Sequence, residues 1–129
     1  MAASPPGTVL VVGSGAREHA LAWALARGAE GRRVYVAPGN GGTAAERGVE
    51  NVALAEHDAE GLVGFARARA ADLVVVGPEA PLAQGLVDRF QDAGLAVFGP
   101  TRAAARLETS KVWAREFMRR HGIPHPPFA

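Results

Sequence analysis

The hexapeptide Gly13-Ser14-Gly15-Ala16-Arg17-Glu18, directly after the apolar run Val9-Leu10-Val11-Val12, has the residue types of a turn that can hold an anion. Its glycines let the backbone turn tightly and bring N–H groups close to a ligand, and a helix behind it adds the positive end of its dipole. The chemistry implied is binding of a phosphorylated or otherwise anionic small molecule; without a ligand, the same turn is a tight strand-to-helix connection. The dinucleotide fingerprint G-x-G-x-x-G is not completed, because Glu18 stands at its third glycine, where a carboxylate repels a pyrophosphate. The next apolar run, Val34-Tyr35-Val36-Ala37, also lacks the acidic residue that would hold an adenosine ribose, and ends in Pro38-Gly39-Asn40-Gly41-Gly42.

A second group of candidates follows Val76. Glu79 lies between Pro78 and Pro81, which can present its carboxylate at low entropic cost, with a vicinal diol as the natural partner. The alternative is a helix-entry carboxylate that stabilises the dipole of a helix beginning near Pro81. Arg17 and Glu18 read either as ligand contacts or as a surface pair at a helix start. His19 reads as a packed or solvent-facing histidine, with no orienting partner visible nearby. Asn40 among its glycines offers a polar loop on the same edge, or an ordinary turn. Lys111, after Ser110, can set an ammonium against phosphates or be simply solvated. No Walker-type loop, H-E-x-x-H, G-x-S-x-G or close set of magnesium carboxylates is present in the sequence, so it shows a binding crevice, with no catalytic residue and no metal ligand.

These residues need a scaffold that brings their loops together. Apolar runs alternate with helical patterns, the signature of a doubly wound, Rossmann-like α/β fold with a parallel sheet of about five strands. Strands are expected at Val9–Val12, Val34–Ala37, Val49–Leu54, Leu73–Val76 and Leu95–Phe98. Helices are expected at Ala16–Arg27, with Leu21, Trp23 and Leu25 as a buried face, and at Asp58–Ala70, with Asp58 as the cap. A further helix runs from Pro81 to Gly94 with Leu82, Leu86, Val87 and Phe90 on one side. The last spans Arg102–His121, with a break near Glu108-Thr109-Ser110, and Trp113 and Phe117 face the core. Lys111, Arg115 and Arg119 form a different, solvated face. In an open parallel sheet ligands bind beyond the carboxyl ends of the strands, so a 3-2-1-4-5 order would place the turn at Gly13 and the loop at Gly77–Pro81 in one crevice.

The 129 residues suffice for one domain without metal or disulfide. Lys and Arg total 14 against 13 Asp and Glu, so charge gives no argument for a nucleic-acid or membrane partner. With no cysteine there is no disulfide or thiolate chemistry, which is compatible with the cytoplasm. Residues 1–7 read as a short disordered leader without the features of a signal peptide, and no apolar run approaches the ~20 residues of a membrane span.

Taken together, Val11–Trp23, Val36–Ala44, Val75–Leu82 and Phe98–Thr101, followed by Ser110-Lys111, Phe117-Met118 and His121–Pro124, closely resemble the N-terminal region of the glycinamide ribonucleotide synthetase family. Two positions depart mildly from its pattern: Ala16 and Thr109 stand where glycine, or glycine and serine, are common. The resemblance implies an ATP-grasp ligase of de novo purine synthesis that joins glycine to 5-phosphoribosylamine, with ATP cleaved to ADP and phosphate and Mg2+ (or Mn2+) as cofactor. It implies a pre-ATP-grasp domain over 8–101, a helical end over 102–123 packed on it, and a stub over 124–129 leading to ATP-grasp and C-terminal domains missing from this chain. Gly13, Ser14, Gly15, Arg17, Glu18, Asn40, Pro78 and Glu79 would then contribute to the acceptor site, with Glu79 on the ribose hydroxyls and Lys111 near the ATP phosphates. Such a chain is expected to be inactive by itself.

Overall fold

The computed structural model describes residues 7–127. Five strands, β1 (Thr8–Gly13), β2 (Arg33–Pro38), β3 (Val49–Asn51), β4 (Leu73–Val76) and β5 (Val97–Phe98), form one sheet in the order β3-β2-β1-β4-β5. Every pairing is parallel. The expected order is therefore the observed one, and β1 lies at the centre between β2 and β4.

Alternation along β1 sets the two layers. Val9 and Val11 join Ala22, Val34, Val36 and Val75 on one face. Leu10 and Val12 join Tyr35, Leu62, Val74, Val87 and Phe90 on the other. This period of two sends successive side chains to opposite sides, so an uninterrupted apolar run needs helices on both faces. α1 (Ala16–Arg27) covers the first face; α3 (Ala59–Ala68) and α5 (Leu86–Asp92) cover the second.

Local chemistry sets the boundaries. The Asp58 carboxylate accepts the Gly61 N–H at 3.0 Å, capping α3 as expected. The expected helix from Pro81 is instead two short ones, α4 (Glu79–Ala83) and α5, because Gly85 takes a left-handed conformation at φ 85°. Pro81 sits in the first turn of α4, where its missing N–H leaves no helical bond unmade. The terminal helix breaks where the sequence indicates, into α6 (Arg102–Thr109) and α7 (Lys111–Arg120). Ser110 Oγ accepts the Trp113 N–H at 3.3 Å and restarts the helix.

Several expectations are corrected. Strand β3 covers only Val49–Asn51, because past the Val52 N–H bond to Val36 the chain turns and Leu54 N–H donates back to the Val52 carbonyl at 2.7 Å; β5 is confined to Val97–Phe98. Trp23 is 45% exposed with the Arg27 guanidinium 4.7 Å above its ring; the smaller Ala22 faces the sheet instead. Trp113 and Phe117 belong to neither buried cluster and stack on each other at 5.4 Å, while α7 packs against α6. Gly7, read as part of the leader, donates its N–H to the Asp72 carboxylate at 3.0 Å and accepts the Arg33 N–H at 2.8 Å. The rest of the leader, residues 1–6, and the last two residues of the stub lie outside the described residues.

Candidate functional site at the carboxyl ends of β1, β2 and β4

Register brings the candidate loops together. Gly13 at the end of β1 pairs with Pro38 at the end of β2, and Val12 is level with Val76 at the end of β4. The next residues tie the loops: Gly39 N–H donates to the Gly13 carbonyl at 3.1 Å, and Gly77 N–H to the Val12 carbonyl at 3.2 Å. These loops thus meet at the switch point where the chain leaves β1 toward opposite edges, the place where open parallel sheets form their binding crevice.

Glu18 is the buried centre of this crevice. Its side chain folds back over the turn, is only 4% exposed, and its Oε2 accepts the Gly15 N–H at 2.9 Å. The arrangement closes a capping interaction at the start of α1. Its Oε1 is buried without a hydrogen-bond partner. Two glycines make room for it. A Cβ on Gly13, which sits at φ 135°, would strike Glu18 and come within 2.9 Å of Pro78; a Cβ on Gly77 would strike Glu18 Oε1.

The surface-pair alternative for Arg17 and Glu18 is therefore corrected. Helix geometry turns neighbouring residues about 100° apart, so one side chain enters the crevice and the other leaves it. Arg17 crosses the mouth, donating from Nη1 to the Gly77 carbonyl at 2.7 Å and pairing through Nη2 with Glu79 Oε1 at 3.3 Å. Glu79 is the first residue of α4, half-exposed, and its own backbone N–H and then Arg17 hold its carboxyl below the ordinary carboxylate range. Pro78 precedes it as the N-cap in extended conformation. A lowered folded value gives stability that is present above the ordinary range and lost as pH falls through the lowered value. A carboxyl-carbon NMR titration of Glu79 should give a midpoint below 4.5, and Arg17→Ala should move it only part of the way up, since the backbone donor remains. An unchanged midpoint in Arg17→Ala would remove Arg17 as a cause.

Asn40 anchors the other wall. Its Oδ1 accepts from Gly42 and Thr43 N–H at 2.8 and 3.0 Å, capping the short α2 (Gly41–Ala45). Its Nδ2 donates to the Ser14 carbonyl at 2.9 Å, joining this loop to the glycine turn. Asn40 is thus a strut between two crevice loops, and Ser14 itself is exposed.

Sequence reasoning missed the residues behind Asn40. Buried Thr43 accepts the Asn40 N–H at 2.8 Å and donates to Asn51 Oδ1 at 2.7 Å. It also missed the partner of His19, whose Nε2 lies 2.9 Å from Glu46 Oε1. That pair spans 27 positions, and only the packing of α1 beside α2 creates it. Lys111 stands apart: it opens α7, exposed, with no hydrogen bond or ion pair to the crevice residues. Among the described residues no group of three or more His, Asp or Glu side chains is gathered so that it could hold a metal ion. Nor is any helix among them long and apolar enough to cross a membrane.

With this geometry in place, the comparisons are specific. Residues 7–108 match the family model described as "Phosphoribosylglycinamide synthetase, N domain". Phosphoribosylamine–glycine ligase of Allochromatium vinosum is 60% identical over 116 residues, which are 90% of this chain and 27% of that protein. The ligase of Ralstonia nicotianae gives the same identity and coverage, and that of Vibrio vulnificus is 52% identical over 121 residues, 94% of this chain and 28% of that protein. The chain thus spans about a quarter of the length of these curated relatives. Among solved structures, the biotin carboxylase domain of Hydrogenobacter thermophilus 2-oxoglutarate carboxylase, crystallised with MgADP, ADP and bicarbonate, superposes with a TM-score of 0.71 at 19% identity, covering 98% of this chain and 30% of that one. Rhizobium etli pyruvate carboxylase gives 0.66 at 20% identity, covering 96% of this chain and 14% of that one. At such identities these structures speak to the fold alone.

Proposed function

Because the chain belongs to the phosphoribosylglycinamide synthetase N-domain family, we propose that it is the N-terminal part of a ligase that joins glycine to 5-phosphoribosylamine in purine biosynthesis, and that its crevice holds part of the phosphorylated acceptor. The observation that carries this reading is the convergence of the glycine turn, Asn40 and the Arg17–Glu79 pair at the ends of three adjacent strands.

Glu79 would accept hydrogen bonds from the ribose hydroxyls, and Arg17, which holds Glu79 and the Gly77 carbonyl, would fix its direction before the ligand arrives. Gly13, Gly15 and Pro78 shape the wall that lets the sugar approach the backbone, while Ser14 and Asn40 close the opposite side. Glu18 holds the turn itself. Holding the acceptor in one orientation is the contribution of this domain to rate, since a positioned amine attacks an activated glycine far faster than a diffusing one. ATP supplies that activation, being cleaved to ADP and phosphate, and with Mg2+ (or Mn2+) it would bind mainly in ATP-grasp and C-terminal domains outside this chain. Lys111 is the one residue here assigned to the ATP phosphates. The enzyme would work in the cytoplasm as a small-molecule ligase, with no nucleic-acid or membrane partner.

The reading is tested by titrating the isotope-labelled 129-residue chain with glycinamide ribonucleotide, the product that retains the acceptor's ribose phosphate. Amide resonances of Gly15, Arg17, Asn40, Gly77 and Glu79 should shift together and saturably. Shifts confined to other surfaces, or none, would count against an acceptor site in this crevice.

A further inference from the structure

A strand, a glycine turn and the N-terminus of a helix of 12 residues make an arrangement that elsewhere takes phosphate. In this chain that place is already filled. Glu18, the third residue of α1, takes the Gly15 N–H on Oε2, and the whole side chain is buried over the turn. Its second oxygen is sealed against Gly77 with no donor, which is a costly condition for a buried acceptor. A phosphate entering here would have to displace Oε2 from Gly15 and then sit beside a carboxylate. A hydroxyl or amine carries no negative charge for that carboxylate to repel, and it need not displace Oε2 from Gly15.

We propose that Glu18 is the specificity-determining residue of the crevice: a built-in anion that excludes phosphate and diphosphate groups from the glycine turn and leaves it to a neutral or amine-bearing, hydrogen-bond-donating part of the ligand. The turn is then no anion site, contrary to the first reading of its glycines. The inference deepens the acceptor assignment, on which it rests for the identity of the ligand, by orienting it: the hydroxyl-bearing side of the sugar lies against Gly13–Glu79, and its phosphate points away from the start of α1. The two glycines that face Glu18 serve the same end, because side chains there would push the carboxylate out of the turn.

The test needs no substrate, so it can fail while the acceptor assignment stands, and the reverse. Inorganic pyrophosphate at constant ionic strength is titrated into the isotope-labelled 129-residue chain and into Glu18→Ala and Glu18→Gln, with amide spectra reporting both fold and binding. In the native chain the amides of Gly13, Gly15, Ala16 and Arg17 should show no saturable shift. Glu18→Ala uncovers the Gly15 N–H and removes the charge, so its association constant should exceed the upper bound for the native chain by roughly ten-fold or more. Glu18→Gln should gain less, because its amide oxygen still takes that N–H. Saturable shifts at the turn in the native chain would overturn the proposal, as would folded variants that bind no better than it does. If Glu18→Ala does not fold, the native chain and Glu18→Gln decide the matter by the same criteria.

Discussion

If Glu79 holds the acceptor ribose as proposed, Glu79→Gln in the proposed full-length ligase should raise the KM for phosphoribosylamine by roughly ten-fold or more, because a charge-assisted hydrogen bond to a ribose hydroxyl would become a neutral one. Glu79 has surroundings that suit the proposed role. It begins α4 at the end of the central strand pair, between Pro78 and Pro81, and Arg17 holds one carboxylate oxygen at 3.3 Å. Half of its surface stays open, so the carboxylate remains available to a sugar. Glutamine keeps the length and shape, removes the charge and puts an NH2 donor in place of one acceptor oxygen. The constants for ATP and glycine should change much less, as those substrates are assigned mainly to domains beyond this chain. Steady-state kinetics with each substrate varied in turn reads the difference. If all three constants shift together, or none does, Glu79 serves the dipole of α4 and leaves the acceptor site.

The largest structural effect is expected at Gly77. A methyl group there would land on Glu18 Oε1 and come within 2.9 Å of Glu18 Cγ, so the buried side chain as a whole would have to shift. Overpacking of this kind destabilises by about 1–3 kcal/mol, and Gly77→Ala is expected in that range. Gly77 is not among the residues with positive φ, so backbone strain adds nothing and the cost belongs to Glu18. A double-mutant cycle isolates it: in a Glu18→Ala background the same substitution should lose more than half of its effect in urea unfolding. Equal costs in both backgrounds would place the conflict elsewhere and remove the picture of Glu18 as a wedge between β1 and β4.

Much of the scaffold was legible before any coordinates. The unbroken apolar runs at Val9 and Leu73 require cover on both faces, and their alternation with helical segments leaves a parallel sheet as the economical solution. Asp58, Pro81 and Ser110 mark helix starts because their chemistry acts within three or four residues, a range that the chain fixes whatever the rest of the fold does. The glycine turn and the Pro78-Glu79 segment could be picked out for the same reason.

What sequence left open are the relations between distant segments. That Arg17 pairs with Glu79 rather than with its neighbour Glu18, that His19 meets Glu46, and that Asn40 braces Ser14 all follow from register and helix packing over 26 to 62 positions. Spacing along the chain carries no record of such distances. Burial was open in the same way: Trp23 reads as core by its size, yet Ala22 takes the sheet-facing place because a small side chain lets α1 approach more closely. Glu18 shows the limit most clearly. By type it is a surface residue at a helix start, and only the tertiary structure, by bringing the side-chain-free Gly13 and Gly77 against it, gives a carboxylate room in the interior of the site.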